Sequence, residues 1–147
     1  MRALMLHVDS FSCTATERGR SKIVEEIESK SRRTQVGEAL LVLASVEKAD
    51  EANPDSVSAR AAEEIEKLAN QLKAKTIVLH SFAHLFGDLS GPDTALRVLK
   101  SIERDLLRSG FTVIRTPFGW FYTLELKAKG HPLSRIARVF NAVIASP

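Results

Sequence analysis

Read for the spacing of its apolar and polar positions, the chain divides into nine elements. Ala3 to Val8 reads as a buried strand that delivers His7 and Asp9 at its end. The β-rich stretch Ser10–Thr16 then suits an adjacent antiparallel strand. The segment 17–36 is charge-rich and admits either a short helix around Ile23–Ile27 or a twisted edge hairpin, and an edge element is expected. Glu38 to Val46 is a continuous apolar run, the signature of a buried strand. Asn53-Pro54-Asp55-Ser56 supplies a helix start, after which Val57, Ala61, Ile65, Leu68 and Leu72 recur at gaps of three and four. Ile77–Leu79 is a short buried strand. Pro92 opens a second helix whose stripe is Leu96, Leu99, Ile102 and Leu106, ending at Gly110. Phe111–Arg115 reads as a strand, Thr116–Gly119 as a turn, and Trp120–Lys127 as the hairpin partner. From Pro132, the spacing of Leu133, Ile136, Phe140 and Val143 predicts a final helix. The order β, β, β, α, β, α, β, β, α implies an α/β (α+β) fold. The expected domain spans 1–147, a mixed and mostly antiparallel sheet with about three helices packed on one side.

Composition changes this picture little. The 147 residues are 44% hydrophobic and 27% charged, values ordinary for one globular domain, and a formal net charge of +3 permits a polyanionic partner without requiring one. Cys13 is the only cysteine, which excludes an internal disulfide and any multi-cysteine zinc site and fits a reducing compartment. The apolar run at Met1–Leu6 is too short for a signal peptide or a membrane span, so a cytoplasmic protein is expected.

Candidate chemistry concentrates in 76–92. There His80, Ser81, Phe82, Ala83 and His84 leave the carboxyl end of a strand, where α/β folds commonly open a ligand crevice. The competing reading is a structural corner whose histidines bond nearby main chain. His7 with Asp9, and His80 with His84, are zinc-ligand types, but no HExxH or cysteine-rich spacing accompanies them, so neither metal nor cofactor is expected. Ser45, Ser81 and Ser134 lack a G-x-S-x-G elbow, and no nucleotide-binding glycine pattern occurs. Lys127-Ala-Lys129-Gly-His131 is a basic patch beside Phe118, Trp120, Phe121 and Tyr122. It suits either a grip on a single-stranded RNA end or a hairpin with core aromatics and solvated lysines.

Five motifs carry a resemblance: His7-x-Asp9; Ser45-Val-Glu-Lys-x-Asp50 with Asn53-Pro54; Phe82-Ala-His-Leu85; Pro117-Phe-Gly119 followed by two aromatics; and Lys129-Gly-His-Pro-Leu133. Together they span nearly the whole chain, which resembles the amino-terminal editing domain of archaeal threonyl-tRNA synthetase, a relative of the D-aminoacyl-tRNA deacylase fold. The resemblance implies a hydrolase that removes L-serine from threonine tRNA. One missing methyl gives a synthetic site only about 1–3 kcal/mol of discrimination, so a second sieve is needed.

The resemblance also assigns roles. Main chain near Val46 and Ala83 would hold the aminoacyl group, with His84 orienting water or ester beside it. His7 and Glu47 would help shape the site, and Ser45, Phe82, Pro117, Phe118, Gly119, Trp120 and Phe121 would line it. Lys48, Lys127, Lys129 and His131 would meet the terminal nucleotides. Ala83, His84 and Tyr122 would be the catalytic positions, although Tyr122 and Arg135 depart from the family's lysine and glutamate and neither replacement reproduces the lost charge. Chemistry would then fall to the substrate's own 2′-hydroxyl and a positioned water. The implied partners are the acceptor end of tRNA(Thr), a second copy of the chain, and a synthetase module in cis or in trans. A non-catalytic tRNA-binding or assembly module and a D-aminoacyl-tRNA deacylase are the alternatives.

Overall fold

The computed structural model describes residues 1–85 and 87–142. Its hub is β1 (Arg2–Arg18), a single strand where the sequence suggests two antiparallel ones. Asp9 and Ser10 do not reverse the chain. The irregularity is absorbed by register shifts at Val8/Ser10 and Ala15/Glu17, which bend the strand without ending it.

Four antiparallel neighbours pair with β1. β3 (Ala39–Ser45) takes residues 2–8 and β2 (Arg33–Val36) takes 11–14 on one edge. β7 (Arg135–Val139) takes 2–6 and β6 (Trp120–Ala128) takes 8–18 on the other. Parallel pairing extends the sheet from β3 through β4 (Thr76–Ser81) to β5 (Thr112–Arg115), giving the order β2-β1-β3-β4-β5. The edge element expected within 17–36 is therefore β2, while 19–28 forms an irregular strap.

Two helices make the parallel crossovers. α1 (Pro54–Leu72) starts where Asn53 Oδ1 accepts from Ser56 N at 3.2 Å and stops at Lys73, whose φ of 58° is left-handed. α2 (Pro92–Arg108) carries proline in its first turn. Val57, Ala61 and Ile65 of α1 and Leu99, Ile102 and Leu106 of α2 pack on the sheet face formed by Met5, Leu40, Val42, Ile77 and Leu79. Leu6, Val8, Phe11, Cys13, Leu41, Leu43 and Val78 form a second cluster on the opposite face. With both faces covered, every residue of β3 is buried.

Two expectations need correction. The segment after Pro132 is the strand β7, not a third helix, and Val143 lies outside the described residues. Ile136 and Phe140 do reach the core, but the free edge of β1 supplies a hydrogen-bonding partner that outweighs a short helical spacing. Nor do β5 and β6 form a hairpin. β5 has four residues and pairs with β4, whereas the long edge of β1 offers β6 pairing along its whole length. Among the described residues, no helix is long and apolar enough to cross a membrane.

Candidate functional site

A cavity of about 390 Å³ opens at the carboxyl ends of β3 and β4. Parallel strands end there together, so Ser45, with Val46 just after it, and His80 and Ser81 of the other strand arrive side by side. Four segments complete the wall: the loop residues 82–84 and 89–90, Pro92 and Ala95 at the start of α2, the turn 116–119 with the start of β6, and the strap at 19–21.

Main-chain hydrogen bonds hold these segments in register. Phe82 N donates to Ala44 O at 2.7 Å, Ser90 N to Val46 O at 3.1 Å, and Lys48 N to Asp88 O at 2.7 Å, fastening the loop to the end of β3. The strap is fastened to the aromatic turn. Gly19 N donates to Gly119 O at 2.7 Å, Glu25 N to Phe118 O at 2.9 Å, and Trp120 Nε1 to Glu25 O at 2.7 Å. Glu25 also receives Phe118 N at 2.8 Å and pairs with Arg115. Burial opposes the ionised Glu25 carboxylate, yet the Arg115 and Phe118 hydrogen bonds prevail and hold it below the usual carboxylate range. Gly119 has φ of +93°, and a Cβ there would lie 2.7 Å from Ile23 O, so the strap's close approach requires glycine.

The inner wall is neutral. His80 Nδ1 lies 2.8 Å from Thr116 Oγ1, and its ring meets the Phe11 and Tyr122 rings edge-on at 6.0 and 5.0 Å. Burial lowers the His80 pKa to about 4, so the imidazole is uncharged near neutrality. Tyr122 donates its hydroxyl to Pro117 O at 2.7 Å, and burial pushes the phenol's pKa well up. Ser45 Oγ is buried without a hydrogen-bond partner among the described residues. His84 is exposed on the loop. No aspartate or glutamate is among the described lining residues.

Eleven of the residues nominated from sequence therefore share one cavity: Ser45, Val46, Phe82, Ala83, His84, Pro117, Phe118, Gly119, Trp120, Phe121 and Tyr122. Six others lie outside its lining: His7, Glu47, Lys48, Lys127, Lys129 and His131. Glu47 sits behind Val46, accepting from Arg2 Nε at 3.1 Å. Lys48 pairs with Glu51 at 2.7 Å. His7 is opposite Leu40, whereas Leu43 pairs with His80 of the cavity wall, which puts His7 three positions, roughly 10 Å, along the sheet from the lining of β4. There His7 Nδ1 is 2.8 Å from His131 Nε2, and Lys129 is held between Asp9 at 2.6 Å and Glu38 at 3.1 Å. Lys127 and Arg135 belong to that middle stretch of β1 as well, opposite Ser10 and Leu6. No group of three or more histidine, cysteine or acidic side chains able to hold a metal occurs among the described residues.

Sequence reasoning missed Thr116, the His80–Thr116 contact and the strap, including Arg20 in the cavity wall. His80 stood out as a strand-end histidine, but nothing local signalled a partner 36 residues away. Arg20 was one charge among many.

Comparison with known proteins bears on what such a cavity serves. The family described as the archaea-specific editing domain of threonyl-tRNA synthetase matches residues 1–140. A threonine--tRNA ligase of Methanopyrus kandleri is 46% identical over 138 residues, covering 94% of this chain and 22% of that protein. One from Methanocaldococcus jannaschii is 44% identical over the same shares. The chain thus spans 22% of the length of these curated relatives. Among solved structures, the c-Myc DNA Unwinding Element Binding Protein aligns with a TM-score of 0.63 at 13% identity, covering 97% of this chain and all of that one, a likeness of fold alone. With the match running through both walls of the cavity, the chain belongs to the archaea-specific editing domain family of threonyl-tRNA synthetase.

Proposed function

We propose that the domain is a proofreading hydrolase that removes L-serine from mischarged seryl-tRNA(Thr). The observation that carries the reading is the cavity itself. Its roughly 390 Å³ falls in the ~300–1,000 Å³ range of small-ligand sites, room for an amino acid with its terminal nucleoside. Val46 and Ala83 border it together, so their main chain can hold the aminoacyl group while the surrounding wall rejects threonine's additional methyl.

The lining residues also limit the chemistry. Tyr122 is protonated and already donates to Pro117 O, and no carboxylate is available as a base among the described lining residues. In this reading the substrate's terminal 2′-hydroxyl and a positioned water do the work. Water adds to the ester carbonyl, the bond to the 3′-oxygen breaks, and that oxygen leaves with a proton. His84 orients the water or the ester, and the protein contributes position and desolvation. The charging module is placed outside this stretch, on the same polypeptide or a separate one.

Incubation with L-seryl-, D-seryl- and L-threonyl-tRNA(Thr) tests the proposal, with release of L-serine alone expected. Binding without release supports a non-catalytic module, and preference for the D-substrate supports D-aminoacyl-tRNA deacylation. Unchanged turnover on seryl-tRNA ending in 2′-deoxyadenosine removes the 2′-hydroxyl mechanism.

A further inference from the structure

An RNA end carries one phosphate per nucleotide, and a cavity that takes the amino acid and terminal nucleoside leaves a phosphate at its mouth. The lysines expected to meet it are poorly placed. Lys129 is held between Asp9 and Glu38, Lys48 is paired with Glu51, and Lys127 lies opposite Ser10 in the middle of β1. None of them lines the cavity.

One side chain fits instead. Arg20 is the only lysine or arginine among the described lining residues. It is exposed, and no ion pair or side-chain hydrogen bond engages it among the described residues. Its position is built: Gly19 N bonds Gly119 O at 2.7 Å, and a Cβ at residue 19 would lie 2.5 Å from that oxygen, so the strap meets the aromatic turn just before Arg20. Beside it the rim exposes apolar surface, with Phe121 52% and Leu89 43% accessible, the kind of surface on which an unpaired base stacks.

We propose that the Arg20 guanidinium binds the phosphate of the substrate's terminal nucleotide, so that the strap at 19–21 is the RNA-gripping lip of the cavity. This rests on the deacylase reading above. A free guanidinium presents a rigid fork of donors that matches phosphate oxygens, and its charge is not neutralised by a neighbouring carboxylate.

The test compares wild type with Arg20→Ala and Arg20→Lys on seryl-tRNA(Thr), on seryl-adenosine, which has no phosphate, and in binding of uncharged tRNA(Thr) across a salt titration. Arg20→Ala is expected to raise KM for seryl-tRNA about tenfold with kcat retained, and to lower the salt slope of tRNA binding by about 0.7–1, one phosphate contact. Its kinetics on seryl-adenosine stay at the wild-type value, and Arg20→Lys recovers most of the loss. An equal loss on seryl-adenosine, or an unchanged salt slope, overturns the proposal. If wild type releases no serine from either substrate, the deacylase reading falls, and the uncharged-tRNA slope still decides whether Arg20 touches a phosphate.

Discussion

The middle of β1 and the cavity each gather histidines and polar groups from distant parts of the chain, and they are built for opposite purposes. Near His7 most of the groups are engaged with one another, although His7 Nε2 has no hydrogen-bond partner among the described residues. Leu133 N donates to His131 Nδ1 at 3.2 Å, so a neutral His131 carries its proton on Nε2 and donates it to His7 Nδ1, 2.8 Å away. The proton of His7 then sits on Nε2, buried and 4.0 Å from Glu38 Oε1, while Lys129 joins Glu38 to Asp9. At the cavity the opposite holds. Ser45 Oγ, His84 and Arg20 line open space with no partner of their own among the described residues. A polar cluster whose members mostly bond one another stabilises a strand junction, whereas unengaged groups around a hole are available to a ligand. Histidine alone does not distinguish the two; the state of its neighbours does.

The largest effect that would sharpen this contrast is the pH dependence of His80. Its pKa is about 4 when folded, against the ordinary histidine value of 6.5. As pH falls from 6.5 to 4 the unfolded chain takes up a proton that the folded one refuses, so stability declines. It is fully present above pH 6.5, and the decline amounts to about 3 kcal/mol at the acid end. His7 is shifted the same way by burial and adds to the slope. Urea unfolding from pH 7 to 4 measures it, and His80→Phe is expected to lower baseline stability yet remove most of the slope. A variant slope equal to wild type would show that burial of His80 is not its source.

The polar cluster gives the next effect. His131→Ala leaves His7 Nδ1 without its partner and should cost about 1–3 kcal/mol in denaturant unfolding. Because neither His7 nor His131 lines the cavity, kcat/KM for serine release should stay at the wild-type value. A fall in kcat/KM without loss of stability would move the His7 cluster into the functional site and dissolve the contrast.

Legibility in the sequence follows the same division. β3, α1, β4 and α2 could be read because each is internally periodic and its spacing alone selects one conformation, which also located Val46 and His80–His84 at strand ends. β7 could not, since Ile136 and Phe140 fit a helical spacing equally well until the free edge of β1 is known. The strap was illegible for a related reason: its shape rests on Glu25 pairing with Arg115, 90 residues away, and on a bond to the Trp120 indole. His7 was assigned to the site because its motif accompanies the others in sequence. Motif order, however, carries no information about which part of a strand a residue occupies.

Tyr122 gives the smallest effect and the most direct check on how the cavity works. Its phenol sits against His80 and lines the cavity, where a catalytic acid or base would be sought. Yet the proton is already given to Pro117 O at 2.7 Å, and burial raises the pKa, so the group can neither take up a proton near neutrality nor release one without breaking that bond. Tyr122→Phe keeps the ring and loses only the hydrogen bond to the turn. The expected cost is about 1 kcal/mol of stability, with serine release slowed a few-fold at most because the turn loosens. Proton transfer by the phenol in the transition state would instead make its removal cost about 10²–10⁴ in rate. Single-turnover deacylation by Tyr122→Phe separates the two by orders of magnitude, and the large loss would return side-chain acid–base chemistry to a cavity that otherwise works by position.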